Sequence, residues 1–305
     1  MHPKKQSFDL LLKSKLHQKC LKSINRQFGK SPYPIYPDLN NPYFEDFFLL
    51  DLYSNQNKWD LIREMMSISG VIEADPVEKV LGIFNKVYDH DNLDQDTHWN
   101  HKLTRFPEAL KFSRDQKRLR EGTKIKIIQL DTGYTKHPEI QGIKHGLGVN
   151  FLQDENPKSS IDLLNHKILQ QPGHGTSTAG IIIGRKTDQA DDKNIGLFPY
   201  VDFVPYRISR SVIHFINSHI GAAVKAAVDA GADIITMSMG GAPPRGSWRR
   251  AARYAYEKGV IFVAAAGNQV KFVVWPARYS KVIGVAGINN KGRPWEDSCR
   301  GKKIQ

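Results

Sequence analysis

The sequence predicts an α/β fold: a doubly wound parallel sheet, with a small α+β segment ahead of it. Three observations predict it. Beyond residue 122, five short runs are apolar at nearly every position: Lys124 to Leu130, Val201 to Arg207, Ala232 to Met239, Val260 to Ala266 and Val282 to Val285. Runs of this kind fit strands buried on both faces, as in parallel sheets. Helix candidates at 175–184, 212–230 and 245–258 separate them, so strand and helix alternate. Upstream the pattern is looser and the elements are fewer.

Taken in order, residues 1–43 read as a basic N-terminal arm followed by a Pro-rich linker. Residues 1–30 hold eight Lys/Arg against the single acid Asp9. Phe8, Leu11, Leu12, Leu16 and Ile24 fit one apolar helical face, as in a transit peptide or a membrane-surface helix; the plainer reading is a solvated arm. Residues 31–43 (SPYPIYPDLNNPY) contain four prolines and read as linker. Asp46 to Tyr53 is a strand candidate. Lys58 to Ile68 carries Leu61, Ile62, Met65 and Met66 at helical spacing, and Val71 to Val77 follows as a second strand. Residues 44–95 therefore form a small α+β segment, and 96–305 the α/β domain. Residues 88–101, acidic and His-rich, show no period; His90, His98 and His101 lack a fixed fourth zinc ligand and read as linker.

The chain of 305 residues carries a formal net charge of +13. Such a surface draws anionic partners. There is no zinc-finger spacing, no RNA-binding aromatic signature and no basic region ahead of heptads, so no specific nucleic-acid partner is read. Two distant cysteines, Cys20 and Cys299, make neither a disulfide framework nor a metal knuckle. The apolar stretch near the N-terminus is too short for a secretory leader, and no run reaches membrane-span length. The cytoplasm is the default compartment on that reading.

The chemistry-bearing residues fall where such sheets collect them, just past strand ends. Asp131-Thr132-Gly133 follows the first strand directly. Alone it is a turn or a helix cap, or the catalytic triplet of an aspartic peptidase, against which the α/β alternation counts. His174-Gly175-Thr176 opens the next helix, and Asn268 follows Ala264-Ala265-Ala266-Gly267 at the end of the fourth strand. Their order and their junction positions together carry more weight than any one of them.

At these residues the sequence is similar to the subtilisin-like serine peptidases, across roughly residues 97–305. The segments that carry the likeness are IIQLDTGYTKHPEI, GHGTSTAGIIIG, ADIITMSMGG, GVIFVAAAGN and WPARYSKVIGVAG. Asn268 lies some 94 residues after His174, near the roughly 91 of the family pattern. The resemblance implies that Asp131 orients His174, that His174 is the general base and acid, and that the Asn268 amide holds the oxyanion. It makes Ser238, Met239 and Gly240 the strand edge on which an extended polypeptide substrate is bound, and implies a cis Trp275–Pro276 bond. It also likens residues 46–77 to the family's propeptide, an intramolecular inhibitor. A generic α+β fragment is the other reading.

The family's nucleophile, a serine in a Gly-Thr-Ser context, would fall roughly 30 residues past Gln305 on the family spacing. The expectation is a serine-type endopeptidase whose nucleophile is missing from these 305 residues, inactive as it stands, with part of its core uncovered. The alternative is a catalytically dead relative that binds a peptide or a partner. Gly175-Thr176-Ser177-Thr178-Ala179 imitates a nucleophile motif, but it belongs to the His helix and precedes Asn268. No cofactor is firmly implied and no metal ligand is assigned. Arg185 to Asn194 stands where some relatives bind calcium, and a solvated loop is the plainer reading.

Overall fold

The computed structural model describes residues 3–13, 16–34, 46–77, 98–115, 125–140, 143–144, 147–152, 154–164, 171–185, 196–198, 201–212, 219–242, 244–268, 270, 272–301 and 304. Within these, the N-terminal residues form strand β1 (Lys4–Leu12), helix α1 (His17–Phe28), the short β2 (Tyr33–Pro34), β3 (Phe47–Ser54), α2 (Lys58–Met66) and β4 (Val71–Val77). The sheet order is β2-β3-β1-β4, and β1 pairs antiparallel with both neighbours. Phe8, Leu10 and Leu12 on β1 are fully buried, beside Leu50 and Leu52 of β3. They pack under Cys20 and Ile24 of α1 and under Leu61 and Met65 of α2. Asn57 caps α2 by accepting from the Trp59 N–H at 2.9 Å, and Gly29 closes α1 in the left-handed region.

This corrects the sequence reading of residues 1–43. Lys4–Leu12 is no solvated arm but an inner strand, so the α+β unit begins near residue 3 and not at 44. Phe8, Leu10 and Leu12 follow a period of two, the spacing of a half-buried strand. Further along, α3 (Trp99–Leu103) begins inside the expected linker of residues 88–101, and α4 (Phe106–Asp115) follows it. The His98 and His101 rings lie 5.3 Å apart, centroid to centroid, and His90 falls outside the described residues.

The second sheet is built from β5 (Lys126–Asp131), β6 (Val149–Asn150), β7 (Asp202–Arg207), β8 (Ile234–Met237), β9 (Ile261–Ala265) and β10 (Ile283–Val285). Its order is β10-β9-β8-β5-β7-β6 and every pairing is parallel. The order reverses at β5, so the crevice past the C-terminal ends of β5 and β8 is the switch point at which such sheets bind ligands. Helix α5 (His174–Ile183) covers one face with Ala179 and Ile183, against Ile127 and Phe203. Helices α6 (His219–Asp229) and α7 (Gly246–Glu257) cover the other with Val224, Trp248, Ala251 and Ala255. Among the described residues, Ile261 on β9 and Ile283 and Val285 on β10 are 38–49% exposed. With helices on both faces of a parallel sheet, the α/β fold class is as the sequence predicts. The Trp275–Pro276 bond is cis.

A polar contact joins the two sheets among the described residues. Glu73 of β4 lies 3.3 Å from the Arg249 guanidinium on α7. A Cβ on Gly246, the first residue of that helix, would come within 2.4 Å of Glu73 Oε2, so only glycine lets the carboxylate approach so near the helix start. Among the described residues, no helix is long and apolar enough to cross a membrane, and no group of three His, Cys, Asp or Glu is placed to hold a metal ion. Residues 186–195, most of the segment weighed for calcium, lie outside the described residues.

Candidate active site

The last residue of β5 and the first of α5 meet. Asp131 is 1% exposed, and its Oδ1 lies 2.7 Å from Nδ1 of His174. The approach depends on Gly175, where a Cβ would fall 2.0 Å from the Gly133 carbonyl oxygen. A larger residue there would push α5 off the strand end and take the imidazole with it. The Thr132 N–H donates to Asp131 Oδ1 at 2.7 Å, and the Thr178 hydroxyl faces Oδ2 at 3.2 Å. Gln129 Nε2 in turn donates to Thr178 Oγ1 at 2.6 Å. A buried carboxylate with several donors stays oriented, and it selects the tautomer with the proton on Nδ1. Nε2 of His174, on the opposite side of a half-buried ring, is left for a reacting group. Among the described residues no hydroxyl is hydrogen-bonded to it. Ser177 is exposed on the same helix.

A second group gathers at the same sheet edge. Ser238, just past β8, and Asn268, just past β9, line a hollow of about 350 Å³ together with Thr236, Ala266, Trp295 and Ser298. Strands lie about 4.8 Å apart, so β9 stands roughly 10 Å across from β5 with β8 between them. Asn268 is exposed and pairs through its backbone with Ser298. Cys299, which follows, is fully buried, and burial pushes its thiol above the ordinary cysteine range. It therefore lacks the thiolate that a cysteine nucleophile needs.

The expected peptide edge is placed differently from a free strand. Met239 is buried. The Gly240 N–H donates to the Val212 carbonyl at 3.2 Å, while Gly241 exchanges two bonds of 2.9 Å with Trp275. The short segment after Arg207 runs beside this edge and occupies one of its donors. Of the named residues, then, Asp131 and His174 are brought into direct contact, Ser238 and Asn268 share a hollow, and Gly240 is already partnered.

Sequence reasoning missed the polar layer beneath the pair. Arg207, at the end of β7 and in register with Asp131, is 2% exposed. Its Nε and Nη2 donate to Glu155 at 2.7 and 3.0 Å, and Nη1 reaches the Thr132 carbonyl and, at 3.3 Å, Asp162 Oδ1. Burial pushes the Glu155 carboxyl up, but bonds from Arg207, Asn150 and Arg210 outweigh it and bring the group down to about 2. The available signal was an arginine closing an otherwise apolar strand.

Residues 122–305 match the subtilase family. The chain is 29% identical over 220 residues to the major intracellular serine protease of Bacillus subtilis, covering 66% of this chain and 64% of that protein. It is 29% identical over 186 residues to thermitase of Thermoactinomyces vulgaris, covering 60% and 62%. The chain thus spans less than two thirds of these relatives' length. Among solved structures, fervidolysin of Fervidobacterium pennivorans aligns over 99% of this chain and 46% of its own, with a TM-score of 0.65 and 20% identity. The epidermin leader peptide processing protease of Staphylococcus aureus aligns over 98% and 74%, with a TM-score of 0.64 and 17% identity.

Proposed function

The chain belongs to the subtilase family, and from that premise we propose that its α/β unit carries the Asp–His half of a serine-type endopeptidase acting on polypeptides. The observation that carries the reading is the 2.7 Å contact between buried Asp131 and the half-exposed His174. In this reading Asp131 fixes the tautomer and supports the imidazolium. Nε2 takes the proton of a serine hydroxyl as that oxygen attacks the peptide carbonyl, then returns it to the departing amine. The Asn268 amide donates to the oxyanion. Removing such a donor lowers turnover by about 10²–10³.

Among the described residues no hydroxyl is bonded to Nε2, and this reading assigns the nucleophile to none of them. The N-terminal sheet acts as an intramolecular inhibitor docked on α7; the seating of Glu73 at the start of that helix supports this, since a carboxylate there is favoured by the helix dipole. A peptide pairing with the Gly240 N–H has to displace the Val212 carbonyl, whether it is then cleaved or only bound.

Labelling with a serine-directed fluorophosphonate tests the reading. The expected result is none for the 305-residue chain and strong labelling once a Gly-Thr-Ser segment is supplied beyond Gln305. Labelling of the short chain that Ser177→Ala abolishes would make Ser177 the nucleophile. Labelling of neither form would favour the binding protein.

A further inference from the structure

We propose that Arg207 and Asp162 form a buried positioning pair that sets the Asp131–His174 geometry. The proposal rests on the reading of those two residues as the acid–base pair. Asp162, 5% exposed, spans the gap between the strand end and the helix start. Its Oδ2 accepts from the Thr132 hydroxyl at 3.1 Å and from the Gly173 N–H at 2.8 Å, and its Oδ1 accepts from the Leu164 N–H at 3.1 Å. One carboxylate thus ties the residue after Asp131 to the residue before His174. The Thr132 oxygen also accepts from the Gly175 N–H at 3.0 Å, tying the residue after Asp131 to the residue after His174. These two straps flank the catalytic contact on either side.

Arg207 makes the arrangement stable. Buried Asp162 and Asp131 and the partly buried Glu155 place three carboxyl groups around one strand end, and unpaired they would repel one another. The guanidinium fork grips Glu155 through two nitrogens and directs its third to Asp162 and to the Thr132 carbonyl. A planar fork of five donors satisfies all three directions at once, which an ammonium cannot. Arg210 adds charge to the outer side of Glu155, with bonds of 2.8 and 3.1 Å. Since β7 and β5 are parallel and in register at Asp131 and Arg207, any shift of the guanidinium is felt at Thr132, one residue from the catalytic carboxylate.

The test reads the Asp131–His174 hydrogen bond itself, through the far-downfield proton NMR signal of His174 Nδ1–H in the full chain. Asp162→Ala and Arg207→Met should remove or broaden that signal, with exchange of its proton about tenfold faster or more. Asp162→Asn, which keeps an acceptor oxygen, should restore part of it, and Arg207→Lys should fall between. Thr132→Val keeps the volume while cutting both straps, and should show the same loss even if the charge variants fail to fold. Independently of any variant, the Gly173 and Gly175 amides of the unaltered chain should exchange slowly. An unchanged signal in folded Asp162→Ala or Thr132→Val, or unprotected Gly173 and Gly175 amides, would overturn the proposal. The signal does not depend on peptide cleavage, so a failed labelling experiment leaves it standing. Its absence from the unaltered chain would sink the Asp–His pairing and this proposal together.

Discussion

In the N-terminal sheet, Phe8, Leu10 and Leu12 are buried at every second position, while Ser7, Lys5 and Tyr33 converge on half-buried Asp51. In the parallel sheet, Ile127 to Asp131 are buried in unbroken succession. The first sheet rests helices on one face and keeps its polar groups partly wet. The second carries helices on both faces near β5, so any charge there must be paired internally. Asp51 and Glu155 show the contrast. Burial opposes both carboxylates, and in both cases the bonds win, but Asp51 is held by exposed Lys5 and by hydroxyls, Glu155 by two arginines in a closed layer. Burial on both sides is what turns strand-end charges into a site.

The largest expected effect bears on the first sheet. Leu10→Ala on β1 removes a fully buried side chain and should cost about 2–5 kcal/mol. Hydrogen exchange should show residues 4–12 and 47–54 losing protection together while β5 and β8 keep theirs. No loss at 47–54 would mean that β1 is the detachable arm its composition suggests.

Acid should then separate the sheets. The Glu155 carboxyl sits near 2 in the folded chain against an ordinary 4.5, so the unfolded chain binds the extra proton. Its stabilisation is complete above about pH 4.5 and is lost as the pH falls toward 2, a difference on the order of 3 kcal/mol. Glu155→Gln should flatten the acid limb of denaturant-midpoint measurements for the α/β unit. An unchanged slope would locate the acid sensitivity elsewhere. Asn57→Ala should cost about 1 kcal/mol, confined to α2 and its sheet, read by the same exchange measurement.

How much was legible follows from the same physics. The five apolar runs placed five of the six strands of the parallel sheet within two or three residues, because burial on both faces leaves little else permitted; β6, two residues long, leaves no such run. Asp131, His174 and Asn268 were legible as candidates because they sit at strand ends and a helix start marked by Gly, in an order and spacing that resemble the subtilases. The run Leu10-Leu11-Leu12 misled: taking Leu11 and Leu12 with Phe8, Leu16 and Ile24 as a helical face passed over Leu10 and hid the alternation of Phe8, Leu10 and Leu12. Asp162 and Glu155 were invisible, and Arg207 was signalled only as a charge closing an apolar strand, because their roles come from strand register and from a loop crossing 30 residues later. No local pattern records such pairings. The engagement of Gly240 by Val212 was hinted at only by the short connection after Arg207.

The smallest effect tests how the two sheets are joined. Glu73 and Arg249 approach at 3.3 Å with side chains 29% and 63% exposed, so solvent screens most of their attraction. Exposed pairs of this kind contribute roughly 0.2–1 kcal/mol, and a carboxylate at a helix start adds a similar amount. A double-mutant cycle of Glu73→Gln and Arg249→Gln, measured by denaturant unfolding, should give a coupling below about 1 kcal/mol. It should shrink further as salt is raised from 0.1 to about 1 M, where screening shortens to about 3 Å. Gly246→Ala should weaken docking by a different route, since its methyl would strike Oε2 at 2.4 Å whatever the salt. A coupling above about 2 kcal/mol that persists in high salt would contradict a thin, solvated contact. The two sheets would then be one cooperative body, and the division drawn between them would fail.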